Sequence, residues 1–236
     1  MYDALTDVPG ILVGHAQDDE AGTGCTVVLF PEGAVTGADV RGGAPGTREI
    51  DSLNPENIIG HIHAVYLGGG SAYGLDGVSG VMQFLEENEQ GFDTGPARVP
   101  IVPGAVIFDL SAGSSSVRPD KAMGYKACGN ASAAESRCGN LGAGTGASIG
   151  KALGDRFLMK GGLGTASISA GGITVGALVV VNCFGDILEP SSGRIVAGAW
   201  DREKKIFPGC AATMMRNPRS PAPVFQRNTT LGIIAT

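Results

Sequence analysis

The sequence predicts an α/β protein built from layered β-sheets, and three observations support this prediction. Several extended runs are apolar on both faces, which is typical of strands buried between two layers, and the run Ile173 to Asn182 is the most apolar. Helical patterns are fewer and do not alternate strictly with the strands, which disfavours a Rossmann fold. The 39 glycines among 236 residues alternate with β-branched runs, which indicates tight turns and closely packed layers.

The individual elements follow from periodicity and from the residues that end each run. Strands are predicted where short apolar runs are bounded by turn residues, at 11–15, 25–30, 64–67, 105–110, 165–170, 173–182 and 229–236. Helices are predicted over an amphipathic segment, an alanine-rich segment capped by Asp120 and a short glycine-introduced segment, at 74–87, 121–137 and 147–153. Loops are predicted at 39–48, 111–120 and 209–227, the last of which contains three prolines.

Length and composition predict one domain over residues 1–236 and argue against several classes of function. A chain of 23.8 kDa fits one large α/β domain and buries roughly 70–75 % of its unfolded surface, so its core needs no disulfide or metal. The net charge of −6 and the lack of a Lys/Arg run argue against a nucleic-acid partner. Five scattered cysteines indicate reduced thiols in the cytoplasm, and the longest apolar run, Ile173 to Val181, is too short to span a membrane.

The dipeptide Asn228-Thr229 is the strongest candidate for a reactive site. It follows the proline-rich connector and opens a short apolar run, so the threonine is expected at the first position of a strand. In hydrolases that cleave themselves, a hydroxyl residue in this position is the nucleophile. Cleavage of the preceding peptide bond frees the threonine amine, whose ordinary pKa of about 7.7–8.0 suits a base near neutral pH. Because the dipeptide also occurs by chance in many proteins, it indicates a nucleophile only if motifs elsewhere in the chain agree with it.

A glycine-rich loop, Gly142 to Lys151, allows two interpretations. It matches the pattern GxGxxA and ends like a P-loop, which would indicate a phosphate- or nucleotide-binding module. Thr145 and Ala152 stand where a P-loop needs a glycine and a magnesium-binding hydroxyl, so close packing at a helix entry is favoured. Lys151 either faces solvent or points into a site, where its charge would lower the pKa of a neighbouring amine.

For several other side chains, residue chemistry alone allows both a functional and a structural role. Asn182 ends the most apolar strand, where an amide either forms a turn or donates to a developing oxyanion. Tyr125 lies on the second predicted helix beside Gly124, where packing is the alternative to a catalytic role. His61 and His63 share one face of a strand, but no third ligand at a suitable spacing supports a metal site.

Five blocks of the sequence, in the same order along the chain, resemble the DmpA-type β-aminopeptidases, a family that also includes the nylon-oligomer hydrolases. The resemblance covers nearly the whole chain, from about Asp7 to Thr236. The blocks are Arg41–Glu49, Gly69–Asp76, Val102–Asp109, Gly142–Lys151 and Asn228–Leu231.

This resemblance implies a four-layer αββα sandwich that is made as an inactive precursor. Self-cleavage before a serine or threonine would divide the chain into an α chain, residues 1–228, and a β chain that begins at Thr229 and stays associated. Members assemble as tetramers or octamers, use no metal or organic cofactor, and remove N-terminal residues from small peptides, amides or esters. They continue well beyond the nucleophile, so we expect the sequence to be truncated relative to its gene product, with 229–236 only the start of the β chain.

Matched motif by motif, the resemblance implies roles for four residues. Thr229 would be the nucleophile and Asn182 a donor to the oxyanion. Tyr125 would contribute at the same site, as in the aminopeptidase branch, and Lys151 would lie near the nucleophile, as in the nylon-hydrolase branch. Phe108 stands where that second branch places a tyrosine, which favours an aminopeptidase over an ω-amide hydrolase.

The sequence therefore predicts an autoprocessing amidohydrolase or aminopeptidase with an N-terminal threonine. An endo-acting hydrolase of nylon-type ω-amide oligomers is the alternative within enzymes. A non-catalytic phosphate- or nucleotide-binding module is the alternative in another class, and a truncated, inactive assembly subunit is a third.

Overall fold

A computed structural model describes residues 1–217 and 227–236. The strands are β1 (Leu12–Asp18), β2 (Thr23–Ala34), β3 (Thr47–Arg48), β4 (Ile62–Gly68), β5 (Phe92–Asp93), β6 (Arg98–Val99), β7 (Gly104–Val106), β8 (Ser148–Ile149), β9 (Met159–Lys160), β10 (Gly162–Ala170), β11 (Ile173–Asn182), β12 (Ile187–Leu188), β13 (Ile195–Ala197) and β14 (Thr229–Ala235). The α-helices are α1 (Gly77–Glu87), α2 (Lys121–Gly129) and α3 (Cys210–Arg216). Short 3₁₀ helices lie at Leu5–Asp7, Asp51–Leu53, Ser71–Asp76, Gly142–Gly144, Lys151–Leu153 and Asp155–Phe157.

Two sheets form the centre of the structure. The first has five strands in the order β1-β2-β4-β7-β3. Adjacent strands in this sheet are antiparallel, except that β4 and β7 are parallel to each other. The second has three antiparallel strands in the order β10-β11-β14. The pairing of β14 with β11 brings the end of the chain against a strand that lies about fifty positions earlier in the sequence.

Strand β2 shows how the layers stack, because its side chains alternate between two cores. Val27 and Leu29 pack with buried residues of α1 and α2 in one hydrophobic cluster. Val28 and Phe30 point the other way and pack with buried residues of the second sheet. The first sheet is therefore covered on both faces, by helices on one side and by the second sheet on the other, which confirms the layered prediction.

Glycines allow helices α1 and α2 to pack backbone against backbone. A Cβ atom added to Gly80 would lie 2.6 Å from the backbone nitrogen of Tyr125, and one added to Gly124 would lie 2.8 Å from the carbonyl carbon of Gly77. Any side chain at these positions would push the two helices apart. Close packing thus outweighs the cost of about 0.5–1 kcal/mol that glycine carries in a helix interior.

The predicted strands are largely confirmed. β11 has the predicted bounds, and β14 begins at Thr229 as expected. The strand predicted at 105–110 is wrong beyond Val106, where β7 ends. The chain turns there because the Asp109 carboxylate accepts the N–H of Gly70, at 2.6 Å, and so holds the neighbouring loop instead of continuing the strand.

The second predicted helix begins as expected but is too long. The carboxylate of Asp120 accepts the N–H of Met123 at 2.8 Å, which confirms the N-cap. The helix ends at Gly129 instead of residue 137, because Ser132 leaves it to form a two-bond bridge with Val13 of β1.

Two other helix predictions also need correction. Residues 74–76 belong to a 3₁₀ helix that precedes α1. No α-helix forms over 147–153, because Gly150 adopts a φ of +76° and separates β8 from the 3₁₀ helix Lys151–Leu153. The predicted loop 209–227 contains α3 in its first part, and its prolines lie outside the described residues.

The outer face of the second sheet is apolar and open among the described residues. None of its three strands contains a charged residue, and Ile168, Ile173 and Ile234 are exposed by 70 %, 62 % and 76 %. The described residues thus supply three of the four layers of an αββα sandwich. Within the same residues, no helix is both long and apolar enough to cross a membrane.

The fully buried side chain of Tyr66 generates a first prediction. Its hydroxyl donates to the carbonyl of Gly74 at 2.8 Å, which fixes the 3₁₀ helix before α1 to strand β4. The variant Tyr66→Phe should lower the free energy of unfolding by about 1–3 kcal/mol, since it leaves a buried carbonyl without this donor. Urea unfolding measures the change.

Tyr73 provides the matched control for this variant, since its side chain is 64 % exposed. Tyr73→Phe keeps the ring on which Arg118 packs and should change the free energy of unfolding by less than about 0.5 kcal/mol. Equal stability of the two variants would contradict the assigned role of the Tyr66 hydroxyl.

Candidate active site

Asn182 is the centre of a polar cluster at the end of β11. The residue is fully buried, and its side-chain amide uses all its hydrogen-bonding groups. The amide oxygen accepts the backbone N–H of Ser148 at 3.0 Å and the ammonium of Lys151 at 2.6 Å. The amide nitrogen donates to the carbonyls of Phe108 and Arg227 at 3.2 and 3.3 Å. Four contacts from three segments, at 108, 148–151 and 227, hold this side chain in one orientation.

Lys151 reaches Asn182 because its own short segment is tied to the loop that follows β11. The N–H groups of Gly150 and Ala152 donate to the carbonyls of Gly185 and Phe184, each at 3.0 Å. The left-handed conformation of Gly150 turns the chain here, and a Cβ atom would lie 2.6 Å from the Cα atom of Ala199. The glycine-rich sequence before Lys151 therefore serves close packing, which aims the lysine inward.

The Lys151 ammonium has three hydrogen-bond acceptors. They are the backbone oxygen of Asn182 at 2.9 Å, the side-chain oxygen of Asn182, and the carbonyl of Arg227. Burial lowers the pKa of Lys151 to about 8, an effect that the positive charge of Arg227 assists and that Cys183 and Asp109 oppose. A group with this pKa changes charge close to neutral pH, which is unusual for a lysine.

The Asn228–Thr229 junction lies directly beside this cluster. Thr229 begins β14 and is the register partner of Asn182 in the antiparallel pair with β11. The side chains of Lys151 and Asn182 donate to the carbonyl of Arg227, which is one residue before the predicted scissile carbonyl of Asn228. The structure thus holds the chain just upstream of the junction, while Asn228 itself is exposed.

Asp109 is a member of this region that the sequence analysis did not single out. Its side chain is buried, and its two carboxylate oxygens accept from the Gly70 N–H and from the Thr23 hydroxyl, at 2.6 and 2.8 Å. Burial raises its pKa, and the charge of Lys151 opposes that shift. An aspartate within the apolar run 105–110 was a usable signal, because a buried carboxylate needs hydrogen-bond partners.

Tyr125 is not brought to the cluster within this chain. It lies on α2 in the helical layer, where its hydroxyl donates to Glu87 at 2.6 Å and its ring packs edge-on against Phe84 of α1. The first sheet separates that layer from the second sheet, which carries Asn182 and Thr229. The oxyanion role predicted for Tyr125 therefore has no support from the geometry of one chain.

In the described residues, neither the glycine-rich loop 142–151 nor the pair of His61 and His63 forms a ligand site. In the glycine loop, the N–H of Gly142 already donates to Gln17 and that of Ala143 to Thr26, so these groups do not form a phosphate cradle. The ring of His63 accepts the N–H of Ile101 at 3.1 Å, and burial lowers its pKa. Both motifs have structural roles.

Comparison with known proteins identifies the family. The sequence model of peptidase family S58 matches residues 3–236. The chain is 43 % identical to an uncharacterized aminopeptidase of Mycobacterium leprae, over 99 % of this chain and 67 % of that protein. It is 39 % identical to a 6-aminohexanoate-oligomer endohydrolase of a Kocuria species, over 98 % of this chain and 62 % of that protein. The chain belongs to peptidase family S58.

Solved structures show the same fold. A β-aminopeptidase of a Burkholderia species superposes with a TM-score of 0.63 at 23 % identity, over 99 % of this chain and 61 % of that one. The L-aminopeptidase D-Ala-esterase/amidase of Ochrobactrum anthropi, described as a new variant among the Ntn hydrolase fold, gives a TM-score of 0.56 at 22 % identity, over 78 % and 54 %. The chain thus has the fold of these hydrolases and spans 61 % and 54 % of their lengths.

The environment of Lys151 yields a second prediction. In a Thr229→Ala variant, the side-chain NMR signal of Lys151 should titrate with a pKa of about 8, because burial disfavours its charge. Loss of that signal in a Lys151→Met, Thr229→Ala double variant assigns it. Titration at 10.5, the ordinary pKa of a lysine, would contradict the partly buried placement of its side chain.

Proposed function

We propose that this protein is an autoprocessing aminopeptidase or amidohydrolase whose nucleophile is Thr229. The observation that carries the proposal is the pairing of Thr229 with the fully buried Asn182, beside a lysine whose pKa burial has lowered to about 8. Membership of peptidase family S58 supports hydrolysis of peptide or amide bonds as the reaction class. Thr229, Asn182 and Lys151 come from three separate segments, as expected for a site assembled by folding.

The first stage would be self-cleavage at Asn228–Thr229. The Thr229 hydroxyl oxygen attacks the Asn228 carbonyl carbon, the C–N bond breaks, and the acyl group moves from nitrogen to oxygen. Water then hydrolyses the resulting ester, which regenerates the hydroxyl and leaves Thr229 with a free amine. The contacts of Lys151 and Asn182 with the Arg227 carbonyl support this stage, because they hold the upstream chain still while the hydroxyl attacks.

The second stage would be hydrolysis of substrate by the freed threonine. The Thr229 amine accepts the hydroxyl proton during attack on the substrate carbonyl. Once residues up to Asn228 withdraw, the donors that held the Arg227 carbonyl become available to the developing oxyanion, and one such donor is typically worth about 2.7–4 kcal/mol. The charge of Lys151 favours the unprotonated amine through like-charge repulsion.

Substrates, assembly and location follow from the family resemblance. Small peptides, amides and esters with a free amino group are the proposed substrates, and no cofactor takes part. A homo-oligomer, as a tetramer or octamer, and a cytoplasmic location remain predictions, as does any contribution of Tyr125. The β chain proposed to begin at Thr229 is represented here by residues 229–236.

Replacement of the nucleophile gives the third prediction. The full-length protein should appear as two fragments, the second beginning at Thr229, whereas Thr229→Ala should remain one uncleaved chain, since alanine has no hydroxyl to attack Asn228. Intact-mass spectrometry distinguishes the two results. Thr230→Ala is the matched control, because Thr230 is exposed on the opposite face of the same strand and should leave cleavage unchanged.

Two results would count against this assignment. One is an uncleaved wild-type protein that is active on aminoacyl amides, and the other is a Thr229→Ala protein that retains such activity. The first would show that activity does not need self-cleavage, and the second that Thr229 is not the nucleophile.

A specific finding favours the second candidate function, the hydrolysis of ω-amide oligomers. The Kocuria relative at 39 % identity is named a 6-aminohexanoate-oligomer endohydrolase. The fourth prediction is that the cleaved protein hydrolyses aminoacyl p-nitroanilides faster than 6-aminohexanoate oligomers, since Phe108 replaces the tyrosine expected in that branch. Parallel initial-rate assays test it, and a faster rate on the oligomers would select the alternative function.

A further inference from the structure

The buried side chain of Asp109 is hydrogen-bonded to two other segments, and the residue before it contacts Asn182 in the candidate site. Its carboxylate accepts the Thr23 hydroxyl from β2 and the Gly70 N–H from the loop after β4. Burial of a carboxylate is costly unless each oxygen has a donor, and both oxygens here have one. The fold thus holds the Asp109 side chain at one position among three segments.

Glycines on two sides form the walls of this position. A Cβ atom on Gly146 would lie 2.6 Å from the Cβ atom and from a carboxylate oxygen of Asp109. A Cβ atom on Gly69 would overlap the same carboxylate oxygen and the Thr23 hydroxyl. Both glycines belong to blocks that resemble the β-aminopeptidase family, Gly69–Asp76 and Gly142–Lys151. Their absent side chains leave room for the carboxylate.

The next residue along the chain connects Asp109 to Asn182. The carbonyl of Phe108 accepts the side-chain amide of Asn182 at 3.2 Å. Since Phe108 and Asp109 are consecutive, the hydrogen bonds that anchor the Asp109 side chain also restrict the backbone that carries this carbonyl. The same amide nitrogen donates to the Arg227 carbonyl, so the orientation of Asn182 depends on both acceptors.

Asp109 also affects the site through its charge. Four kinds of influence act on the pKa of Lys151: burial lowers it, Cys183 raises it, Arg227 lowers it, and Asp109 raises it. Arg227 forms an ion pair with Asp155 at 3.5 Å, which partly offsets its charge. Among the described residues that act on Lys151, Asp109 is the carboxylate, and two hydrogen bonds hold it in place.

We propose that Asp109 is a positioning residue for the Asn228–Thr229 junction: its anchored carboxylate orients Asn182 through the Phe108 carbonyl and balances the charge of Lys151. This inference rests on the proposed function of the junction, but its electrostatic part concerns the folded precursor alone. Within residues 1–217 and 227–236, the Asp109 side chain bonds to Thr23 and Gly70 and not to the junction, so its effect is transmitted through Asn182 and Lys151.

The test compares two variants of the full-length protein. Asp109→Asn keeps the size of the side chain and removes its charge, whereas Thr23→Val removes one hydrogen bond to Asp109 and keeps the charge. Asp109→Asn should slow self-cleavage by about 10²-fold, the scale expected when reacting groups are misplaced. It should also lower the pKa of Lys151, measured by NMR in the Thr229→Ala background, because an opposite charge is lost.

The variant Thr23→Val distinguishes the effect of the position of Asp109 from the effect of its charge. It should slow cleavage less than Asp109→Asn does, and it should leave the titration of Lys151 unchanged. If Asp109→Asn slows cleavage without moving the Lys151 titration, Asp109 has only a structural role and the proposal is overturned. Unchanged cleavage in Asp109→Asn would overturn it as well.

A measurement without substitution at Asp109 covers the case in which Asp109→Asn does not fold. In the Thr229→Ala protein, the carboxyl carbon signal of Asp109 should show an inflection near pH 8, where Lys151 loses its proton. A flat signal in this range would refute the coupling. If the wild-type protein does not cleave itself, the proposed function fails, while these NMR results still decide whether Asp109 and Lys151 are coupled.

Discussion

The candidate site depends on the pairing of β14 with β11 in one register. That register places Thr229 opposite Asn182 and sets Leu231 and Ile233 against the core between the two sheets. A shift by one residue would turn every side chain of β14 to the other face, so the apolar residues of the strand determine where the threonine lies. The same hydrophobic pattern that holds the end of the chain therefore also positions the proposed nucleophile.

Desolvation gives the neighbouring groups their chemical character. Lys151 is largely removed from water but keeps three oxygen acceptors, and its pKa falls to about 8. Asp109 is buried more completely and is stabilised by two donors and by the charge of Lys151. Two opposite charges held apart in a low-dielectric region interact more strongly than they would at the surface. The site thus combines the Asn182 amide, held in one orientation, with charges on Lys151 and Asp109 that respond to small structural changes.

Glycine makes this arrangement possible in a small volume. At Gly150 a left-handed turn directs Lys151 inward, and at Gly69 and Gly146 the missing Cβ atoms leave space for Asp109. The glycine-rich block before Lys151 resembles a nucleotide-binding loop in sequence, but it packs against the strands that carry Gln17 and Thr26. The sequence of this block is compatible with either a phosphate-binding loop or a closely packed turn, and its contacts with neighbouring strands select the packed turn.

The sequence by itself determined most of the long strands, the layered arrangement, the family resemblance and the Asn228-Thr229 junction, because hydrophobic periodicity and short motifs are local properties. It also identified Asn182 and Lys151 as candidates, although their partners stayed open. Tertiary structure decided the rest: α2 ends early because Ser132 pairs with Val13, and Tyr125 binds Glu87 in the helical layer. It also brought Asp109 beside the site. These outcomes depend on contacts between residues distant in sequence, whose free energies only the folded chain sets.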